Sequence, residues 1–278
     1  RAIRDVYKRQ HLRRVEAAIG TIETSKLDKV VLARAVDIEF PEAIDPRLVA
    51  ARLIELSANR DGFIADLSPA GRPGAMLVGS SPEVLVKRQG STVSAFPLAG
   101  SSPRRATAAE DHIAGQDLLH SAKDLHEHSF VVEHLRRVLS PLCERLDIPD
   151  APQLISTNEM WHLGTPISGT LKDKDLTALE LALAAHPTPA ICGTPAEAAQ
   201  ALIETAETDR GFYAGAVGWC DSSGDGEYMV AIRCAEVADD GLSARAWAGG
   251  GIVGDSDAQA ELEETTAKLR TILKALSL

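Results

Sequence analysis

Apolar and polar residues alternate along 62–67 and 75–98, with glycine-bearing breaks at Gly71–Gly74 and Gln89-Gly90. A period of two predicts antiparallel strands. KVVLARAVDIEF (29–40), rich in Val and Ile, predicts another, and Asp45-Pro46 then reads as an N-cap with Pro at N1, opening a helix through Leu56. From 110 to 146 the period lengthens: Ile113, Leu118, Leu119, Leu125, Val131, Leu135 and Val138 recur near 3.6, which predicts one long helix. MWHLGTPISGTL (160–171) reads as a strand with a bend. Two short helices follow, the second from Thr194-Pro195-Ala196-Glu197, which has capping-box spacing. Segments 211–220 and 227–237 flank the turn residues DSSGDG (221–226), a hairpin signal. A strand over 243–248 ends in Gly249-Gly250-Gly251, and a last helix spans about Asp257 to Leu276. Hairpin-linked strands in groups, with helices between the groups, predict an α+β fold with antiparallel sheets. No repeat or linker divides the chain, so 20–278 is expected to be a single domain. The opening RAIRDVYKRQ has no initiating Met and no amphipathic period, and 1–19 is expected to be non-native or incomplete. The alternative is an ordinary helical start running on into HLRRVEAAIG.

Composition narrows the function classes. The 278 residues are 45% hydrophobic and 25% charged, ordinary for a globular chain. No apolar run reaches the roughly 18–20 residues of a membrane span, and no secretory pattern opens the chain. Cys143, Cys192, Cys220 and Cys234 lack metal-finger or CxxC spacing, so reduced thiols and a cytoplasmic location are expected. A net charge of −11 without a basic stripe argues against nucleic acid as a partner. An acidic enzyme that binds an anion must concentrate positive charge locally, through a metal or a few Arg and Lys.

Asp124 and Glu127 lie three apart in one helical pattern, and Glu261 and Glu264 three apart in another. That spacing puts both carboxylates of a pair on one helix face. Two such faces brought together supply the hard oxygen ligands Mg²⁺ prefers; because Mg²⁺ keeps several waters, one or two carboxylates suffice for direct contact. The competing reading is two solvated acidic faces. GGGIVGDSDAQAE, running from a glycine-rich strand end into the second pair, favours a shared site for a metal and an anion, since backbone N–H groups at such turns bind oxyanions.

LAGSSPRR (98–105), KDLHEHSFVVEHL (123–135), MWHLGTPISG (160–169), HPTPAICGTP (186–195), GAVGWCDSSGDGEYMVAIRCA (215–235) and AGGGIVGDSDAQAELEETTAKL (248–269) together resemble the chorismate-utilising enzymes, in particular the isochorismate synthases of siderophore and menaquinone pathways. The resemblance covers about residues 27–278. It implies one α/β domain of two large packed antiparallel sheets with helices outside. Family members carry further N-terminal strands and helices, so a sheet edge is expected to lie uncovered here, lowering stability or promoting aggregation.

The resemblance also implies roles. Isochorismate formation exchanges the C4 hydroxyl of chorismate for a water-derived hydroxyl at C2, which needs a base by the incoming water and an acid by the departing hydroxyl. Lys29 matches the base; a surface lysine at a strand end is the plainer alternative. Glu83, in GSSPEVLVK, matches the acid and would need a raised pKa; a solvent-facing strand glutamate is the alternative. Glu127 and Glu264 match direct Mg²⁺ ligands, and Asp124 and Glu261 water-mediated ones. Arg233 and Lys268 match residues that bind the enolpyruvyl carboxylate, aided by backbone N–H groups around Gly249 and Gly251. Gly100 and His162 match pocket positions, although a lone histidine there also reads as core.

Lys29 stands where anthranilate synthases carry Gln, and Ala190 where salicylate synthases carry Thr, so the reaction is expected to stop at isochorismate. Tyr213 discriminates less. The alternatives are a salicylate synthase, which adds pyruvate elimination, and a non-catalytic truncated chorismate-binding fragment. Two departures from relatives are Ser129, which could alter the metal's outer shell, and Gly250, which loosens the anion loop. The resemblance implies a monomer without a glutamine amidotransferase partner.

Overall fold

The computed structural model describes residues 2–4 and 8–277. Along the chain run β1 (Ala2–Arg4), α1 (Lys8–Thr24), β2 (Lys29–Glu39), α2 (Pro46–Leu56), β3 (Gly62–Asp66), β4 (Met76–Ser80), β5 (Val84–Gln89), β6 (Thr92–Phe96) and β7 (Leu98–Pro103). Next come α3 (Ala108–His120), α4 (Ala122–Leu139), β8 (Cys143–Asp147), β9 (Gln153–Ser156), β10 (Met160–Gly164), β11 (Ile167–Leu171), α5 (Ala178–Ala185), β12 (Gly193–Thr194) and α6 (Ala196–Ala206). The chain closes with β13 (Ala216–Cys220), β14 (Gly226–Val230), β15 (Cys234–Val237), β16 (Ser243–Ile252) and α7 (Ala258–Ala275).

Two large antiparallel sheets dominate. One is ordered β1-β2-β16-β15-β4-β3, with β12 also on β2; the other is ordered β13-β14-β5-β6-β11-β8. A third sheet, β7-β10-β9, bridges toward the helices. The main core joins the facing sides of the large sheets, with Ala33, Leu77 and Trp247 from one and Leu85, Val93 and Ile167 from the other, and extends to Leu135 of α4 and Leu181 of α5. On its far side the first sheet is covered by α2 and α7 through Leu53, Leu269 and Ile272, and near Val30 by α1 and α6.

The chain departs from the predicted elements in several places; the strand expected over 227–237, for one, divides into β14 and β15 in different sheets. The helix expected over 110–146 breaks at Ser121, whose hydroxyl accepts from the Asp124 N–H and so caps a new helix. That helix stops at Leu139, ahead of Pro141, and 143–147 is a strand. The bent strand over 160–171 divides at Pro166 into β10 and β11, in different sheets. The capping box expected at Thr194 does not form: Thr194 is drawn into β12, pairing with Lys29, and α6 has no side-chain cap. Thr177 and Glu180 make one instead, at the start of α5. Finally, Gly249–Gly251 are not a loop but continue β16, in register with Ala33, Leu32 and Val31 of β2.

The second edge of β2 is unusual. β12 pairs with Lys29 and Val30, and β1 with Asp37 to Glu39. Between them side chains replace a strand: Glu207 Oε1 accepts the Ala33 N–H at 2.6 Å, and Arg210 donates to Val31 O at 2.7 Å and Ile191 O at 2.8 Å. Arg210 and Glu207 pair at 2.7 Å.

Candidate active site

A cavity opens where the ends of β2 and β16, the β4–β5 connection, β7, β10, α4 and α7 converge. Its walls include Glu83, Gly100, Ser101, Glu127, His162, Ala190, Tyr213, Arg233, Gly249, Gly250, Gly251, Glu264 and Lys268. Of the residues given a role from the sequence, all line it except Lys29, which is buried against Glu127, and Asp124 and Glu261, which line an adjoining open cavity. Lys29 is fully buried, so the surface-lysine alternative falls. Its Nζ lies 3.1 Å from Glu127 Oε1.

β15 pairs with β16 only at Ala244–Ala246, so the edge of β16 away from β2 is open beyond Trp247. Gly249 O lies on that edge and accepts from Lys268 Nζ at 2.9 Å. In a strand the N–H and C=O of one residue share an edge, as do residues two apart. Gly249 and Gly251 therefore present N–H groups toward the cavity without any loop. Gly251 is required by space: a Cβ there would fall 2.0 Å from Glu127 Oε1 and 2.8 Å from Lys29 Cε. Gly100, with φ of 80°, lets β7 approach α4, since a Cβ would lie 3.1 Å from that of Asp124.

The two acidic pairs meet, which removes the reading of two solvated faces. Glu127 and Glu261 are buried, and Lys123 bridges the helices that carry them: its Nζ is 3.0 Å from Glu261 Oε1, 3.7 Å from Asp124 Oδ1 and 4.0 Å from Glu127 Oε2. Glu264 accepts from Ser101 Oγ at 2.8 Å and pairs with Lys268. Burial and the neighbouring Glu264 push the Glu261 carboxyl up, and burial also raises Asp124. Burial works to raise Glu264 too, but Lys268 and Lys123 hold it below the usual carboxyl range. Among the described residues no three His, Cys, Asp or Glu side chains are drawn together closely enough to hold a metal outright. The donors nevertheless fit a hard divalent cation: all are oxygens, they come from two facing helices, and Glu261 Oε2 is buried without a hydrogen-bond partner.

Glu83 is also buried, not solvent-facing. Desolvation pushes its carboxyl up to about 7, against a weak 3.4 Å hydrogen bond from Leu98 N–H and the fields of Lys29, Arg233 and Lys268. Burial, then Arg233 and Lys268, hold His162 well below the usual imidazole value, so its ring is neutral; its Nε2 is buried and unpartnered. Arg233 is buried with a left-handed backbone, φ 52°, a conformation a non-glycine residue adopts at a cost. Tyr213 stacks on Trp247 with ring centroids 6.0 Å apart.

Sequence reasoning missed Lys123, although it stands in the quoted KDLHEH beside Asp124. It also missed His128. Burial lowers His128 to about 4, and its ring bridges Ala99 O at 3.0 Å and Thr165 Oγ1 at 2.7 Å. A carbonyl only accepts, so Nδ1 carries the proton and Nε2 accepts from Thr165. Ser129 does not reach the metal's surroundings: it is exposed and bonds back to His126 O at 2.7 Å. Gly250 contributes space more than looseness, since a Cβ there would press to 2.8 Å from Glu261 Oε2.

The family model described as chorismate binding enzyme matches residues 2–277. A Mycobacterium tuberculosis protein named MenF, provisionally assigned as an isochorismate synthase, is 52% identical over 252 residues, 90% of this chain and 68% of its own. Isochorismate synthase DhbC of Bacillus subtilis is 45% identical over 265 residues, 94% of this chain and 66% of its own. The crystal structure of Bacillus anthracis DhbC, provisionally a 2,3-dihydroxybenzoate-specific isochorismate synthase, superposes with a TM-score of 0.93 at 42% identity, covering 98% of this chain and 72% of that one. The chain thus spans about two thirds of the length of the curated relatives. With the fold, the convergence of the quoted motifs on one cavity and these matches in agreement, the chain belongs to the chorismate binding enzyme family.

Proposed function

We propose that this protein is an isochorismate synthase, converting chorismate to isochorismate with Mg²⁺ held by Glu127 and Glu264, and Asp124 and Glu261 acting through water. The observation that carries the reading is a buried Glu83 on the cavity wall, its carboxyl pushed up to about 7, together with a fully buried Lys29 behind the wall formed by Glu127 and Gly251. When bound, the metal would neutralise the ring carboxylate of chorismate and fix its position among the carboxylates. Arg233, Lys268 and the N–H groups of Gly249 and Gly251 hold the enolpyruvyl carboxylate. His162, neutral and with Nε2 unpartnered, supplies a hydrogen bond without adding charge. Water adds at C2 and gives its proton to the Lys29 amine in its uncharged form, which requires the Glu127 carboxylate 3.1 Å away to be engaged elsewhere. The ring double bonds shift, the C4–O bond breaks, and Glu83 protonates the departing hydroxyl to release water. One water enters and one leaves, so the product is an isomer. Ala190, on the cavity wall, supports a reaction that stops there.

Water as nucleophile needs no ammonia-delivering amidotransferase subunit, and a cytoplasmic monomer is the expected form. No helix among the described residues is long and apolar enough to cross a membrane. Incubation with chorismate and Mg²⁺ followed by product chromatography tests the reading. Isochorismate without pyruvate is expected. Stoichiometric pyruvate would move the assignment to salicylate synthase, and unchanged chorismate to a binding fragment. Names among the relatives point to both menaquinone and 2,3-dihydroxybenzoate routes, and the product would serve either.

A further inference from the structure

Four carboxylates from helices more than a hundred residues apart in sequence crowd one corner of the protein; Lys268 pairs with Glu264 and Lys29 with Glu127, and Lys123 stands between the two helices. Lys123 Nζ is 3.0 Å from Glu261 Oε1, and Asp124 and Glu127 lie within 4.0 Å. Its side chain is only 23% exposed, unlike a surface ion pair on a helix, so the contacts are weakly screened by solvent. The amine occupies the concentrated negative potential that a divalent cation would use, and Glu261 Oε2, buried without a partner, remains turned into the same corner. An ammonium and a dication cannot share so small a space without strong repulsion.

The corner also has an exit. Lys123, Asp124, Glu261 and Glu264 line the inner end of an open cavity of about 850 Å³ whose outer wall carries Glu110, Asp117, Asp255, Asp257 and Glu263. A lysine stem has four flexible carbons, so its head can swing outward without backbone movement. Five further carboxylates line that cavity against one further cation, Arg105, so an outward-swung amine keeps a counter-charge. The same acidic wall repels a dicarboxylate such as chorismate and attracts a metal ion.

We infer that Lys123 is a resident cation of the metal-free enzyme, filling the carboxylate corner until Mg²⁺ displaces it into the acidic vestibule, so that metal affinity is set by competition with an internal amine. The inference rests on the reading of the four carboxylates as the Mg²⁺ site. Lys123 is then a positioning residue: it keeps the helices together in the absence of metal and limits how tightly metal binds.

The test is Mg²⁺ titration calorimetry on the unaltered protein and on Lys123→Met and Lys123→Arg, with melting temperatures measured in chelator and in Mg²⁺. Lys123→Met is expected to bind Mg²⁺ about tenfold or more tightly, equivalent to about 1.4 kcal/mol. It should melt lower than the unaltered protein in chelator and show a larger Mg²⁺-induced rise, while Lys123→Arg should not tighten binding. Equal or weaker Mg²⁺ binding by Lys123→Met, with the unaltered protein still binding, overturns this inference alone. Absence of binding by either protein overturns it together with the metal assignment. A crystal structure of the unaltered protein with Mn²⁺ gives a check independent of any variant: Lys123 Nζ is expected beyond hydrogen-bond reach of Glu261, and an unmoved side chain refutes displacement.

Discussion

Two regions bury carboxyl groups and surround them with different neighbours. Glu83 is alone. Nothing but a long N–H contact and distant cations stabilises its charge, and desolvation pushes it up to about 7. The corner between α4 and α7 holds four carboxyl groups and places Lys123 and Lys268 among them. The lone buried acid answers by keeping its proton; the crowd recruits cations, which hold Glu264 low while Glu261 and Asp124 are still pushed up by burial. One chemical group thus sits as a raised, lone carboxyl at one wall and among cations in the corner, and the difference lies in the neighbours.

The largest expected effect breaks the first half of this contrast. Glu83→Gln keeps the shape and removes the proton, and turnover should fall by roughly 10²–10⁴-fold, measured by product chromatography. The unaltered enzyme should lose turnover as pH rises through about 7. The stability consequence has a definite sign. The folded value lies above the ordinary 4.5, so the contribution of Glu83 is fully present below about 4.5 and is lost as pH rises through about 7. Glu83→Gln should therefore gain melting temperature relative to the unaltered protein as pH rises from about 4.5 to about 7; parallel pH curves for the two over that range would contradict this.

Glu264→Gln sharpens the second half. It removes an oxygen charge from the cradle, and the Mg²⁺ midpoint should rise by roughly 10–100-fold; an unchanged titration would dismiss Glu264 as a ligand. Gly251→Ala presses on the corner and on the buried lysine behind it, because the added methyl meets Glu127 and Lys29. Overpacking of this kind should cost about 1–3 kcal/mol in denaturant unfolding and reduce turnover as well. The smallest effect belongs to neither region. Thr177→Ala removes the α5 capping box and should cost about 1 kcal/mol while leaving the Mg²⁺ midpoint unmoved.

Much of the fold was legible because sheets and helices write their periods into the chain: the alternation over 75–98 and the DSSGDG turn both correspond to observed strands and hairpin. What was illegible depended on partners distant in sequence. Gly249–Gly251 read as a loop by composition, yet ten consecutive pairings with β2 keep them in a strand. Thr194 had the right spacing for a cap, but Lys29 claimed it for a ladder. The same holds at the site. Motifs brought Glu127, Glu264 and Arg233 forward, while Lys123 passed as an ordinary charged helix residue because its meaning comes from Glu261, 138 positions away.

The Arg210–Glu207 pair has a mechanical consequence. It ties the stretch after α6 to Val31 and Ala33 and also grips Ile191. Ala190, Tyr213 and the strand that begins at Lys29 are thereby fastened to a single anchor. A substitution in the turn around residues 207–210, on the outer side of β2, would be felt at three points of the cavity wall at once. That turn is a remote handle on the alignment of base and substrate.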